Sequence, residues 1–267
     1  MIRSLLLAAL MALPGLPSLA GPVTQDDVLQ ANFLPGWRTA DGTYMAALKL
    51  DLAPEWKTYW RSPGDAGIPP SFNWSGSRNL SAVRFHWPRP FVFSLNGMRT
   101  IGYKRELILP FELSPTDPSQ PIELRADVDL GVCRDICMPA SLSFAGQVGG
   151  AGAPDASIKA ALAARPSTAL EGGLGGIGCS VEPTEDGLQV TARIALPPTG
   201  GHETVVFEPG AQIWASESTV QRDGKMLIAQ AELVSNTGGP IALDRSGMIV
   251  TVLGKDRAVE IHGCPAP

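Results

Sequence analysis

Short runs of β-forming residues, separated by turn signals about every 8–12 residues, most constrain what this chain can fold into. The 29 glycines and 24 prolines fall between these runs, which indicates turns rather than low-complexity tracts. The predicted strands of the first half are residues 43–52, 56–61, 70–74, 82–87, 102–113, 122–130 and 141–148. Residues 21–35 are predicted to be a polar lead-in without a strand. About seven short strands at this spacing are typical of an immunoglobulin-like β-sandwich.

The second half repeats this pattern without repeating the sequence. Its predicted strands are residues 179–183, 188–196, 204–208, 219–222, 225–233, 248–253 and 258–262. Asp223-Gly224 lies between two of them and is a strong hairpin signal. Residues 149–178, rich in Gly, Ala and Pro, are predicted to be a linker with one short helix at 155–164, which is bounded by prolines. The predicted fold class is therefore all-β, with two immunoglobulin-like β-sandwich domains joined by this linker.

The first 20 residues have the features of a secretory signal peptide. Arg3 precedes an apolar run at residues 5–13, and the small residues Ser18 and Ala20 stand where signal peptidase reads the chain. The predicted division of the chain is a signal peptide at 1–20, a first β-sandwich at 21–148, the linker at 149–178 and a second β-sandwich at 179–267.

Export has consequences for location and chemistry. It leads to an oxidising compartment in which disulfides persist, and we predict the periplasm because no lipidation cysteine lies near the cleavage site. No later stretch approaches the roughly 20 apolar residues of a membrane helix, so no integral membrane segment is predicted.

The net charge of −5, without a basic cluster, argues against nucleic acid as a partner. His86, His202 and His262 do not have metal-ligand spacing, and no cofactor is predicted.

Cys133 and Cys137 stand at the end of an alternating run, with three residues between them. A turn this short keeps both sulfurs within bonding reach. Closing so small a ring constrains the unfolded chain less than closing a long loop does. The pair is thus a weak staple, which favours a disulfide that opens and closes.

Two other interpretations of this pair remain open. It could be a structural disulfide at a hairpin, as in many small secreted domains. It could also hold Cu(I) together with Met138, since thiolate and thioether sulfurs are soft ligands. The corresponding functions are a disulfide-stapled interaction scaffold and a Cu(I)-binding or copper-tolerance module. An active site for a small molecule is disfavoured, because no nucleophile–base or paired-carboxylate pattern is present.

Cys179 and Cys264 flank the second predicted sandwich, at its first strand and after its last. A bond between them would close a loop of about 85 residues and stabilise a small domain by several kcal/mol. A structural disulfide between them is predicted, with exchange between this pair and Cys133 or Cys137 as the alternative.

Residues 56–148 resemble the N-terminal periplasmic domain of the DsbD and ScsB thiol:disulfide interchange proteins. The matching landmarks are Thr58-Tyr59-Trp60-Arg61, residues 102–110 and the Cys133-x-x-x-Cys137-x-Pro139 turn. The segment 56–67 is particularly similar to the ScsB branch, and the second half resembles the ScsB-type extension more loosely. The resemblance implies an immunoglobulin-like domain whose cysteine pair carries electrons from a membrane-embedded carrier to periplasmic acceptors.

The resemblance also implies partners and roles. The transmembrane and thioredoxin domains of the family are not in this sequence, so we expect a separate membrane-embedded electron carrier and a thioredoxin-fold periplasmic partner. Any enzymatic role would then be that of a thiol-disulfide oxidoreductase component. The resemblance implies that Cys137 is the partner-linked sulfur and that Cys133 resolves the mixed disulfide.

Residues near the pair are the candidates for its surround. Arg134 could favour a thiolate, and Asp135 would oppose it. Tyr59, Trp60 and Tyr103 are candidates for the wall around the pair, with burial in the sandwich core as their alternative.

Two features depart from the family pattern. The spacing C-x-x-x-C is shorter than in the DsbD domain. The aromatic cap loop that shields the DsbD pair has no counterpart at the aligned position, Asn96-Gly97-Met98, and Phe91 and Phe93 are the candidates to replace it.

Overall fold

The computed structural model describes residues 23–95 and 98–267 of the chain. The predicted signal peptide, residues 1–20, and the segment Asn96-Gly97 lie outside the described residues. The described chain is all-β, as predicted, and forms two β-sandwiches. Within the described ranges, no helix is long and apolar enough to cross a membrane.

The first sandwich consists of two sheets packed around one apolar core. A four-residue helix, α1 (Gln25–Val28), precedes the strands β1 (Leu29–Arg38), β2 (Tyr44–Leu52), β3 (Lys57–Tyr59), β4 (Ser71–Asn73), β5 (Leu80–Phe85), β6 (Phe91–Leu95), β7 (Met98–Lys104), β8 (Glu106–Pro115), β9 (Ile122–Cys133) and β10 (Cys137–Val148). One sheet has the order β1-β2-β8-β5, and the other has the order β10-β9-β3-β7-β6, with β4 also paired to β9. The second sheet carries the cysteine turn between its edge strand β10 and the neighbouring β9.

The predicted linker helix docks on the first sandwich. Helix α2 (Ala156–Ala163) begins after Asp155, whose side chain accepts hydrogen bonds from the first turn of backbone N–H groups. Its Ile158 is fully buried against Met45 on the outer face of β2, while Leu48 faces the core between the sheets. Since side chains alternate along a strand, a strand covered on both faces is apolar at consecutive positions. This explains the continuous apolar run in β2.

Strand β1 lies partly where the sequence analysis predicted a lead-in, and that prediction was wrong. Only Leu29 is buried in this edge strand, so it lacks the alternating pattern of a half-buried strand. A register shift between Leu34 and Trp37 further interrupts the pattern, with Gly36 at a positive φ of 60° inside it.

The predicted strand at residues 102–113 is two strands in two different sheets, β7 and β8. Arg105 joins them at a φ of +70°, a backbone conformation that few non-glycine residues adopt. The chain crosses from one sheet to the other at this residue. Because arginine is not a turn signal, the crossing is invisible in the sequence.

The second sandwich is smaller and has its own core. Its strands are β11 (Ser167–Thr168), β12 (Gly176–Pro183), β13 (Leu188–Ala195), β14 (Thr204–Glu208), β15 (Ile213–Ala215), β16 (Thr219–Asp223), β17 (Met226–Ser235), β18 (Ile249–Leu253) and β19 (Ala258–His262). One sheet has the order β11-β19-β18-β14, and the other has the order β12-β13-β17-β15, with β16 paired to β17. The hairpin predicted at Asp223-Gly224 is confirmed, since it joins β16 to β17.

The two sandwiches touch each other. Leu253 and Ala258, from the ends of β18 and β19, pack against the core of the first sandwich. Two arginines of the first sandwich, Arg61 and Arg99, form ion pairs with glutamates of the second.

Candidate functional site

The cysteine pair lies at the tip of the hairpin formed by β9 and β10. Cys133 and Cys137 are opposite each other in the strand register, with Cα atoms 4.1 Å apart and their sulfurs bonded. Leu130 and Val132 of β9 face the core, so Gly131 and Cys133 face the outer side of the sheet. The pair is therefore on the outer face of the first sandwich, at the edge of a sheet.

The two cysteines differ sharply in exposure. Cys133 is only 1% exposed, since it lies between Cys137 on one side and Lys57 of β3 on the other. Cys137 begins the edge strand β10 and is an exposed residue. An incoming thiolate can therefore approach Cys137 and not Cys133.

Pro139 helps to keep this edge open. It is exposed and lies two residues into β10, opposite Gly131. Proline has no N–H to donate, so strands carry it at sheet edges and it discourages pairing with another strand.

Tyr59 is the aromatic residue that contacts the pair. It lies in β3 opposite Gly102, on the same outer face as Cys133, and its hydroxyl oxygen is 3.5 Å from the Cys137 sulfur. A disulfide sulfur carries no hydrogen, so the hydroxyl donates. Burial raises the pKa of the Tyr59 phenol, which keeps the proton on this donor.

Trp60 and Tyr103 lie in the core of the first sandwich, not in the wall around the pair. Trp60 is fully buried, and Tyr103 lies opposite Thr58 in the register. Since these positions are one residue out of phase with Tyr59, strand alternation directs them to the other face. The Tyr103 hydroxyl donates to the Pro88 carbonyl at 2.7 Å, and burial raises the pKa of this phenol well above its usual value.

The charged residues of the turn largely neutralise each other. The Arg134 guanidinium lies 3.0 Å from the Asp135 carboxylate and 5.5 Å from the centre of the Trp56 ring. A cation that the sequence analysis missed is Lys57, which pairs across the strands with Cys133. Its ammonium group extends along the outer face to within 3.2 Å of the Thr100 hydroxyl, and burial lowers its pKa.

The three sulfur atoms of the copper alternative do not converge. Cys133 and Cys137 are bonded to each other, while Met138 is opposite Val132 and packs partly buried against the core. Adjacent residues of a strand point to opposite faces, so Met138 and Cys137 point apart. Within the described part of the chain, no group of three or more His, Cys, Asp or Glu residues could hold a metal ion.

Met98, the described residue of the position aligned with the DsbD cap loop, lies far from the pair. Lys104 of β7 is in register with Lys57 and hence with Cys133, and Met98 is six residues earlier in β7, about 20 Å along the strand. Phe91 and Phe93 share the outer face but lie on β6, three strands from β9. Neither aromatic covers the disulfide.

A loop that the sequence analysis did not single out covers this part of the sheet instead. Ile68 packs over Gly131, where an added β-carbon would lie 2.7 Å from the Ile68 Cβ and 3.1 Å from the Tyr59 ring. Gly67 lies equally close to the other side of the ring, since its β-carbon would be 3.0 Å from Tyr59 Cδ1. Residues 61–69, here named the covering loop, therefore pack against Tyr59 at Gly67 and lie beside it, over Gly131, at Ile68. Glycines at 67 and 131 are the sequence signal for this close packing.

Asp65 of the covering loop gives a pH-dependent prediction. Burial and the negative charge of Glu217 raise its pKa, against the opposing effect of Arg99. A carboxyl whose pKa is raised by folding contributes stability below its unfolded pKa and loses it as the pH rises. Asp65→Asn should therefore stabilise the chain at pH 7, by less than about 1 kcal/mol because the residue is exposed.

Thermal unfolding at pH 7 and pH 3.5 measures this effect. The melting temperature of Asp65→Asn should exceed that of the wild type at pH 7 and match it at pH 3.5. An equal stabilisation at both pH values would show that the carboxylate charge is not its cause.

Cys179 and Cys264 form the second disulfide, with Cα atoms 5.5 Å apart. Both residues are fully buried in the core of the second sandwich. This pair is inaccessible to a partner protein, unlike Cys137.

Residues 27–147 match the model of the family described as "Thiol:disulfide interchange protein DsbD, N-terminal". No match was found among curated proteins. Among solved structures, the chain is similar to the N-terminal periplasmic domain of ScsB from Proteus mirabilis, with 22% identity and a TM-score of 0.69. This similarity covers 92% of this chain and 96% of that chain, so the shared fold extends over both sandwiches.

Proposed function

Because residues 27–147 belong to the family of DsbD N-terminal thiol:disulfide interchange domains, we propose that Cys133 and Cys137 are the exchanging pair of this chain in the periplasm. The observation that carries the proposal is the asymmetry of the pair. One cysteine is exposed at a sheet edge with its sulfur under a tyrosine hydroxyl, and its partner is 1% exposed. Exchange requires one accessible sulfur and one neighbouring resolving thiol.

The exchange has two steps. In the reduced chain, the Cys137 thiolate attacks one sulfur of a partner disulfide, and the other partner sulfur leaves as a thiolate that takes up a proton. The Cys133 thiol, on losing its proton, then attacks the Cys137 sulfur and releases the second partner sulfur as a thiol. The partner disulfide is reduced to two thiols and the Cys133–Cys137 bond forms, so two electrons and two protons pass to the partner.

Tyr59 supports the first step. Its hydroxyl, 3.5 Å from the Cys137 sulfur in the disulfide, can donate to the thiolate of the reduced pair. A hydrogen bond to the charged form lowers the pKa of a thiol, and one to a charged acceptor is stronger than a neutral one. Cys137 is thereby favoured over Cys133 as the attacking group.

The proposed partners are a thioredoxin-fold periplasmic protein as acceptor and a membrane-embedded carrier as electron source. The surface beside Cys137 suits contact with another protein, because Ile136 in the turn is 67% exposed and Ile68 of the covering loop is 41% exposed. Exposed apolar side chains around a reactive group are typical of protein contact sites.

Titration with glutathione, combined with alkylation and mass spectrometry, tests this function by giving the reduction potential of each cysteine pair. Cys133–Cys137 should open first, whereas the buried Cys179–Cys264 should have a potential below about −300 mV, as structural disulfides do. If both pairs resist reduction together, both disulfides are structural, the chain is an interaction scaffold, and the proposed exchange is wrong.

A further inference from the structure

The covering loop is attached at its first residue to the second sandwich. Arg61 donates from Nε and Nη2 to both carboxylate oxygens of Glu208, at 2.8 and 2.9 Å, and from Nη2 to Glu260 at 2.6 Å. The two glutamates lie on β14 and β19. Two-point contact of a guanidinium with a carboxylate fixes its orientation as well as its position.

This ion pair is largely shielded from water. The side chains of Arg61, Glu208 and Glu260 are 23%, 17% and 24% exposed. Burial alone would lower the pKa of the Arg61 guanidinium, but the two carboxylates raise it above its usual value. Removing the carboxylate charges would leave an unpaired, mostly buried cation, which is strongly unfavourable.

A second arginine supports the loop from the neighbouring strand. Arg99 of β7 lies under Gly64, where an added β-carbon would be 2.9 Å from the Arg99 carbonyl oxygen. The Arg99 guanidinium contacts Glu217 at 2.9 Å and Thr204 at 3.2 Å, both in the second sandwich. The covering loop therefore packs on Arg99, and Arg99 also binds the second sandwich.

A cleft of about 610 Å³ separates the rest of the loop from the second sandwich. Ser62 and Asp65 line one side of it, and Trp214 lines the other. The ion pairs of Arg61 and Arg99 span this cleft.

We propose that the second sandwich positions Tyr59 over Cys137, acting through Arg61 and Arg99, and thereby sets the rate at which the Cys133–Cys137 disulfide is opened. Arg61 is two residues from Tyr59, Gly67 of the same loop packs against the Tyr59 ring, and Ile68 lies beside the ring over Gly131. Arg61 is a positioning residue, because it acts on the cysteines through Tyr59. The inference rests on the proposed function in that it treats Cys133–Cys137 as the pair that opens.

The experiment measures the rate at which dithiothreitol reduces each disulfide of the full chain, by timed alkylation and mass spectrometry. In Glu208→Gln/Glu260→Gln, Arg61 loses its ion pairs and the covering loop no longer holds Tyr59 over the Cys137 sulfur. Cys133–Cys137 should therefore be reduced about three- to tenfold faster than in the wild type. Arg61→Lys keeps the charge but loses the two-point contact, so its rate should fall between the two. The rate for Cys179–Cys264 should not change.

The matched control is Glu203→Gln. Glu203 is paired with Arg222 at 2.7 Å inside the second sandwich, is more deeply buried than Glu208 or Glu260, and has no hydrogen bond or ion pair to the covering loop. This variant should destabilise the second sandwich and leave the rate for Cys133–Cys137 unchanged. The single variant Glu208→Gln repeats the test with less risk to folding, with an effect of about twofold.

Three negative results would be distinguishable. An easily reduced Cys133–Cys137 pair whose rate is the same in the Glu208 and Glu260 variants would overturn the positioning role and leave the proposed function intact. Equal acceleration by Glu203→Gln would also overturn it, because general loosening would then be the cause. A pair that resists reduction in the wild type would instead contradict the proposed function.

Discussion

Replacing Cys133 with serine is expected to turn the chain into a trap for its partner. The substitution leaves Cys137 exposed at the sheet edge, with the Tyr59 hydroxyl within reach of its sulfur. Cys137 can still attack a partner disulfide, but no neighbouring thiol is present to resolve the product. The mixed disulfide should therefore accumulate. Incubation with an oxidised thioredoxin-fold protein, followed by non-reducing electrophoresis and mass spectrometry, would show a covalent complex linked through Cys137.

Cys137→Ser is the matched control for this experiment. It leaves Cys133, which is 1% exposed, so the remaining thiol should react with oxidised glutathione at least about tenfold more slowly than Cys137 does in Cys133→Ser. Trapping by both variants to the same extent would contradict the assignment of Cys137 as the attacking residue. Trapping through Cys133 alone would reverse it.

Much of the first sandwich follows from local pattern. In β9, core residues alternate with polar ones from Ile122 to Leu130, so the strand and the position of Cys133 at its end could both be predicted. The edge strand β1 could not, because it buries one residue and contains a register shift. The crossing at Arg105 could not either, since a positive φ at arginine is imposed by the packing of two sheets and not by local preference.

The immediate surround of the cysteines depends on strand register, which local sequence does not give. A shift of one residue exchanges the two faces of a strand. Tyr59 and Trp60 are neighbours in sequence, yet one contacts Cys137 and the other lies in the core. Lys57 became part of the site only through pairing with Cys133, and Arg61 meets Glu208 across 147 positions of the chain. Such contacts are set by tertiary structure.

Replacing Cys179 with serine is expected to destabilise the chain far more than replacing Cys133. The disulfide between Cys179 and Cys264 joins residues 85 positions apart and ties β12 to the segment after β19. In the chain-entropy model, a loop of this length contributes about 4.5 kcal/mol, against about 2 kcal/mol for the five-residue ring of Cys133 and Cys137. The lost bond would also leave a polar hydroxyl in a fully buried site, which adds a further cost.

Urea denaturation of oxidised proteins, followed by circular dichroism, measures this difference. Cys264→Ser should lose as much stability as Cys179→Ser, because either substitution removes the same bond. Loss of the Cys179–Cys264 disulfide should not affect the other pair. In Cys179→Ser, dithiothreitol should open the Cys133–Cys137 disulfide at the wild-type rate under conditions in which the chain is folded. If Cys133→Ser and Cys179→Ser instead lose equal stability and neither traps a partner, both disulfides are structural. The burial of Cys179 and Cys264 and the exposure of Cys137 would then reflect no difference in function, and the chain would act by binding alone.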